Sequence, residues 1–111
     1  MRHELVFELD EIAEPGARSF SVNTAAGTQE GFIIRYADQI RVYLNSCPHT
    51  GVSLNWADDQ FFDVSHKFIQ CSMHGALFEP LNGRCVWGPC LGESLQSVEF
   101  ELVEQHLLIY I

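Results

Sequence analysis

Basic residues are scarce in this chain. Fifteen acidic residues stand against six basic ones, for a net charge of −9. The six (Arg2, Arg18, Arg35, Arg41, Lys67 and Arg84) are scattered singly. Proteins that bind nucleic acid or anionic membrane surfaces cluster their Lys and Arg where the phosphates lie. The expectation is therefore no nucleic acid and no membrane among the partners. An acidic surface serves either solubility alone or docking onto a basic partner. Long apolar runs are missing too, and none approaches the roughly 18 residues of a membrane span. The opening residues, Met1-Arg2-His3-Glu4-Leu5-Val6-Phe7, lack the apolar core and cleavage site of a signal peptide. With residue 1 taken as the native start, the expected location is cytoplasmic. There, four cysteines read first as metal ligands or thiols, not as a disulfide frame. No Gly-x-Gly-x-x-Gly fingerprint occurs, which argues against direct oxidation of NADH.

Helical periodicity is also absent. No stretch of eleven or more residues carries an i, i+3, i+4 stripe. Residues 8–14, ahead of Pro15-Gly16, leave room for one turn of helix. What is present reads as β. Leu5, Phe7 and Leu9 alternate with Glu4, Glu8 and Asp10, and Phe20 with Val22 forms a short second run. Residues 31–36 and 40–44 are β-branched and aromatic, split by Ala37-Asp38-Gln39 as a hairpin signal. Residues 61–64 and 68–70 flank a turn at Ser65-His66-Lys67. Residues 76–78 and 84–87 flank Pro80-Leu81-Asn82-Gly83, whose Asn-Gly pair favours a tight turn. Val98, Phe100 and Leu102 alternate with Glu99 and Glu101, and Leu107, Ile109 and Ile111 close the chain. Leu, Ile, Val and Phe fill roughly a third of the sequence, enough for one folded domain over residues 1–111. Short strands spaced by turns predict an all-β antiparallel sandwich or barrel.

Two segments break the strand pattern, residues 45–56 and 71–75, and both contain Cys and His. They read Cys47-Pro48-His49 and Cys71-Ser72-Met73-His74, with residues 50–70 between the two pairs. Each offers one thiolate and one imidazole at short spacing, just after a strand that would hold it rigidly. Two Cys and two His suit a metal site of mixed softness. Gly51 and Gly75 follow the histidines closely and let the backbone turn beneath bulky ligands. A single zinc ion is the competing occupant, although a one-residue gap is awkward for a zinc knuckle. His3, His66 and His106 read as solvated, and Trp56 and Trp87 as packing residues beside the loops.

Cys-x-His followed after about twenty residues by Cys-x-x-His resembles the Rieske [2Fe–2S] motif. The likeness extends to Cys-Pro-His-Thr-Gly at 47–51, His-Gly-Ala-Leu-Phe at 74–78, Gly83 and Gly88-Pro89, and covers roughly residues 30–102. The resemblance implies a [2Fe–2S] cluster with Cys47 and Cys71 on the inner iron and His49 and His74 on the outer iron. It also implies stacked small antiparallel sheets with two cluster-binding loops at one end, and Gly88-Pro89 as a covering proline loop. The high-potential branch of the family carries a further Cys in each loop, joined as a disulfide. The matching positions here are Val52 and Met73. That branch also places a Ser and a Tyr hydroxyl against the cluster sulfurs, where this chain has Ala76 and Phe78. Hydrogen bonds to sulfur raise the potential, so their absence implies a low one. Cys85 and Cys90 fall outside the ligand set; the turn at Gly88-Pro89 would bring them close, and they read as thiols, with a disulfide or a redox-sensitive pair as the alternative.

The implied function is a low-potential one-electron carrier. It would pass electrons from a reductase to an oxygenase or similar terminal enzyme, with no catalytic site of its own. A small Rieske-like subunit of a nitrite reductase-type complex is the alternative. A non-redox module that kept the fold is a third reading, opposed by the intact Cys and His set.

Overall fold

A computed structural model of the chain describes residues 4–25, 27–46, 48, 54, 60–71 and 75–111. Nine strands occur among them: β1 (Glu4–Glu8), β2 (Gly16–Thr24), β3 (Gly27–Tyr36), β4 (Gln39–Leu44), β5 (Ile69–Gln70), β6 (Leu77–Phe78), β7 (Cys85–Trp87), β8 (Glu99–Val103) and β9 (His106–Tyr110). They pair antiparallel into three sheets, ordered β1-β9-β8, β2-β3-β4 and β5-β6-β7. The all-β expectation of stacked small sheets is met. The only helical turn among the described residues is a 3-10 turn at Leu9–Glu11, within the segment read as a possible helix turn.

The central sheet is buried on both faces. Phe32 and Ile34 of β3 and Tyr43 of β4 join a core with Phe61, Ile69, Phe78 and Cys85 of the β5-β6-β7 side. Ile33, Ile40 and Val42 join a second core with Leu107, Ile109 and Val98. Strands buried on both faces need no polar alternation. This is why residues 32–34 read as a continuous apolar run. The β1-β9-β8 sheet has one wet face, and the strict alternation of β1 reports it. Glu4, Val6 and Glu8 point outward while Leu5 and Phe7 pack inward.

Several turns fall where the residue types predict, with shifted edges. The β3–β4 connection is the two residues Ala37 and Asp38, with φ of 51° and 62°. Positive φ at both positions matches the twist of a tight hairpin, so Gln39 belongs to β4. The second run, read as short, is a nine-residue strand paired along its length with β3. Around Ser65-His66-Lys67 the first arm shortens to a single bridge between Phe62 and Ile69. His106 opens β9, and its Nδ1 lies 2.9 Å from a Glu8 carboxylate oxygen. It is exposed but ion-paired when protonated, not merely solvated. The register of β1 against β9 places the two residues opposite each other.

Side chains of β4 seat the third sheet. The Tyr43 hydroxyl donates to the Pro80 carbonyl at 2.7 Å, and Arg41 Nε donates to Leu81 O at 2.8 Å. Gly83 lies against the Tyr43 ring, where an added Cβ would come within 2.8 Å of Cε1. Burial pushes the Tyr43 phenol up to about 12, partly offset by the Arg41 charge. The neutral phenol is thus favoured in the fold. Its contribution is complete below the unfolded value near 10 and is lost as pH rises toward 12. Tyr43→Phe should cost roughly 1 kcal/mol at neutral pH through the lost hydrogen bond. The gap to wild type should narrow between pH 10 and 12, as chemical denaturation at each pH would show. A gap that widens there would contradict the assignment.

Candidate metal centre

The two Cys/His loops are held at their bases. The first leaves β4 at Leu44, whose N–H donates to Gln96 O at 2.9 Å. Asn45 follows, buried, with its N–H on Glu30 O at 2.9 Å. Its side-chain Oδ1 accepts the Leu54 N–H at 2.7 Å. One amide thus clasps both ends of the loop that carries Cys47 and His49. An amide at this position has no sequence signal, since Asn beside a strand end usually marks an exposed turn.

The second loop begins at Cys71, directly after β5 and fully buried. Its N–H donates to Ala76 O at 2.9 Å, and its carbonyl accepts the Gly75 N–H at 3.0 Å. These bonds tie Cys71 to Gly75 and Ala76, the two ends of the second loop. Gly75 has φ of +68°, the left-handed geometry that its sequence position suggested. Leu54 from the first loop, Cys71 and Ala76 belong to one apolar core. The bases of both loops therefore converge on the same side of the molecule.

A third segment lies against the second loop. Gly88, with φ of +111°, packs on Ala76 so closely that an added Cβ would stand 2.8 Å from Ala76 Cα. This places Gly88-Pro89 beside the loop, as the resemblance implied for the proline loop. Trp87 reaches the same neighbourhood: a Cβ on Gly75 would lie 3.7 Å from its Cζ3. Yet Trp87 is 60% exposed. It is a surface residue beside the loop, which corrects its reading as a packing residue. Trp87 ends β7, and only Cys85 at the start of that strand is buried.

Of the four expected ligands, Cys71 is the one among the described residues. Cys47, His49 and His74 lie outside them, as do Gly51, Val52, Met73, Trp56 and His3. The chemistry of the described part fits an iron–sulfur centre. A thiolate at Cys71 would be too costly in an apolar core unless a cation neutralised it. A loop with its base fixed by backbone hydrogen bonds can present such a ligand rigidly. Ala76 and Phe78, both fully buried, bring no hydroxyl to this region.

Comparison with known proteins places the chain in context. No curated protein matches it by sequence. Among solved structures, the ferredoxin of carbazole 1,9a-dioxygenase from Nocardioides aromaticivorans IC177 aligns with TM-score 0.71 at 20% identity, covering 94% of this chain and 92% of that one. The terminal oxygenase of carbazole 1,9a-dioxygenase from Novosphingobium sp. KA1 aligns with TM-score 0.77 at 19% identity, over 99% of this chain but only 29% of the oxygenase. A chain in a complex of reduced oxygenase and oxidized ferredoxin of carbazole 1,9a-dioxygenase aligns with TM-score 0.71 at 22% identity, covering 96% and 91% of the two chains. At these identities the likeness establishes the fold. Membership comes from the family model of the Rieske [2Fe-2S] domain, which matches residues 4–107. With nearly the whole sequence accounted for by that match, the chain belongs to the Rieske [2Fe-2S] domain family.

Proposed function

We propose that this protein is a low-potential one-electron carrier, a Rieske-type ferredoxin that receives electrons from a reductase and delivers them to an oxygenase. The observation that carries this reading is the near-complete mutual coverage with a dioxygenase ferredoxin. The oxygenase match, by contrast, spans under a third of that enzyme. Residues 1–111 act as a single domain. Cys47, His49, Cys71 and His74 hold the [2Fe–2S] cluster, which when bound supplies one reversible electron. The chain's own residues set the conditions. Asn45 and the bonds of Cys71 to Gly75 and Ala76 fix the bases of the two loops. Gly88 packs on Ala76 at the base of the second loop. Among the described residues no helix is long and apolar enough to cross a membrane. A cytoplasmic location is part of this reading, in which the four cysteines serve as ligands and thiols and not as a disulfide frame.

The potential tests this reading. Ala76 and Phe78 supply no hydroxyl donor, so the protein should lie toward the low end of the Rieske range of about −150 to +300 mV. Phe78→Tyr adds one donor beside the second loop. A hydrogen bond to a charged group is worth roughly 1.5–3 kcal/mol, and only its difference between redox states counts. The expected shift is upward by tens of millivolts, on the order of a fraction of that energy. Protein-film voltammetry of wild type and variant measures both values. A wild-type potential well above about +100 mV, in the upper half of that range, would refute the assignment. Gel filtration from the native source should show a free small species, not one bound permanently to a large enzyme.

A further inference from the structure

Two buried sulfurs lie outside the four expected ligand positions. Cys85 opens β7, Cys90 follows the Gly88-Pro89 turn, and each is 1% exposed. The chain doubles back so that their Sγ atoms lie 2.8 Å apart, with the Cys90 thiol donating to Cys85 Sγ. The Cys85 thiol in turn donates to the Trp87 carbonyl at 3.4 Å. No disulfide joins them. Glu93 fixes the backbone on both sides. Its carbonyl accepts the Cys85 N–H at 2.9 Å, and its N–H donates to Cys90 O at 2.8 Å. Trp87 and Leu91, which neighbour the pair in sequence, are both largely exposed. A water-sized oxidant needs only a small opening of this turn to reach the sulfurs.

We propose that Cys85 and Cys90 form an oxidative modification site, converted by hydrogen peroxide into an intramolecular disulfide. Packing alone would be met by any small apolar pair, whereas two thiols in mutual contact are poised to join. Covalent S–S bonds are about 2.05 Å long, so bond formation needs a movement below about 1 Å. Cys85 is the attacking sulfur, because the Cys90 S–H already points at it and stabilises the charge it gains on losing its proton. The Cys85 sulfur takes one peroxide oxygen, the O–O bond breaks, and the other oxygen leaves as water with the thiol proton. The Cys90 sulfur then attacks the resulting sulfenic acid, expelling its oxygen as a second water. Two thiols lose two electrons to one peroxide, and both of their protons end in water. The product is a covalent ring that contains Trp87, Gly88 and Pro89, the segment lying against the second Cys/His loop.

The test uses the full chain as isolated, with its cluster. It is exposed to one equivalent of hydrogen peroxide, denatured, alkylated with and without dithiothreitol, and mapped by mass. The expected product is a Cys85–Cys90 link, lighter by two hydrogen atoms, reversed by dithiothreitol and formed while the visible spectrum persists. In Cys90→Ser, Cys85 should accumulate as a sulfenic acid that dimedone traps. In Cys85→Ser, Cys90 should stay alkylatable at the same dose. Should either variant fail to fold, the wild-type map alone decides. Recovery of both residues as alkylated thiols at a dose that bleaches the spectrum would overturn the proposal. Disulfides from Cys85 or Cys90 to Cys47 or Cys71 would do the same. The mapping reads thiols and not electron transfer, so it can fail or succeed whatever the outcome for the carrier function.

Discussion

Cys71→Ala should yield a colourless protein, its iron falling from about two per chain to near zero. Cys71 is the buried expected ligand, held by backbone hydrogen bonds at its N–H and its carbonyl. Alanine keeps those bonds and removes only the sulfur. The loss therefore reports ligation more than loop geometry. Because a preformed site is rare in an unfolded chain, the binding free energy of the centre is also folding free energy. Loss of several kcal/mol lowers Tm by about 4–8 °C per kcal/mol in a domain near this size, giving a fall beyond about 10 °C. Iron and sulfide assays with a thermal melt measure both effects. Exchanging Cys85 and Cys90 for Ser serves as the control and should leave iron and the visible spectrum intact. A Cys71→Ala protein with its full iron content would remove Cys71 from the ligand set.

Gly88→Ala is the second large effect. The residue has φ of +111°, which L side chains rarely adopt, and its Cβ would meet Ala76 Cα at 2.8 Å and Ala76 Cβ at 2.9 Å. The obstructing atoms include backbone, so no side-chain rotation relieves them. Overpacking of this kind costs about 1–3 kcal/mol. The unfavourable conformation adds about 1–2 kcal/mol. The expected fall in Tm is again beyond about 10 °C, and the cluster should be lost faster when the turn shifts off the second loop. Gly92→Ala separates the two costs. It too has positive φ, +94°, but an added Cβ there meets nothing within 4 Å. Calorimetry of both variants should show Gly88→Ala clearly the more destabilised. Equal losses would mean that the contact with Ala76 contributes nothing.

Much of the molecule was legible from local pattern. The alternation at Leu5 and Phe7 located β1 with its one wet face, while Leu9 falls in the 3-10 turn and Leu102 of β8 is exposed. Pro80-Leu81-Asn82-Gly83 marked the turn between β6 and β7, and Gly83 does adopt φ of +72°. The spacing of Cys47, His49, Cys71 and His74 named the family that the model over residues 4–107 confirms. These features are readable because each depends on neighbours a few residues away: side-chain period, turn chemistry and ligand spacing in one loop.

What tertiary structure alone decided joins residues far apart in the chain, or depends on which layer covers a strand. Phe20 and Val22 looked like a short run, but β2 extends from Gly16 to Thr24 because β3 offers it a partner along that whole length. Asn45 and Tyr43 look like any polar and aromatic residue beside a strand. Their roles as loop clasp and sheet anchor require Leu54 and Pro80 to arrive from elsewhere. Trp87 is apolar enough for a core, yet it sits exposed at the end of β7 while Cys85 at the start of that strand is buried. Composition and period therefore determined that the chain forms sheets and where its Cys and His stand. The stacking of those sheets decided that Leu54, Cys71 and Ala76 meet in one core and that Tyr43 reaches Pro80, since packing couples positions whose separation no local pattern encodes.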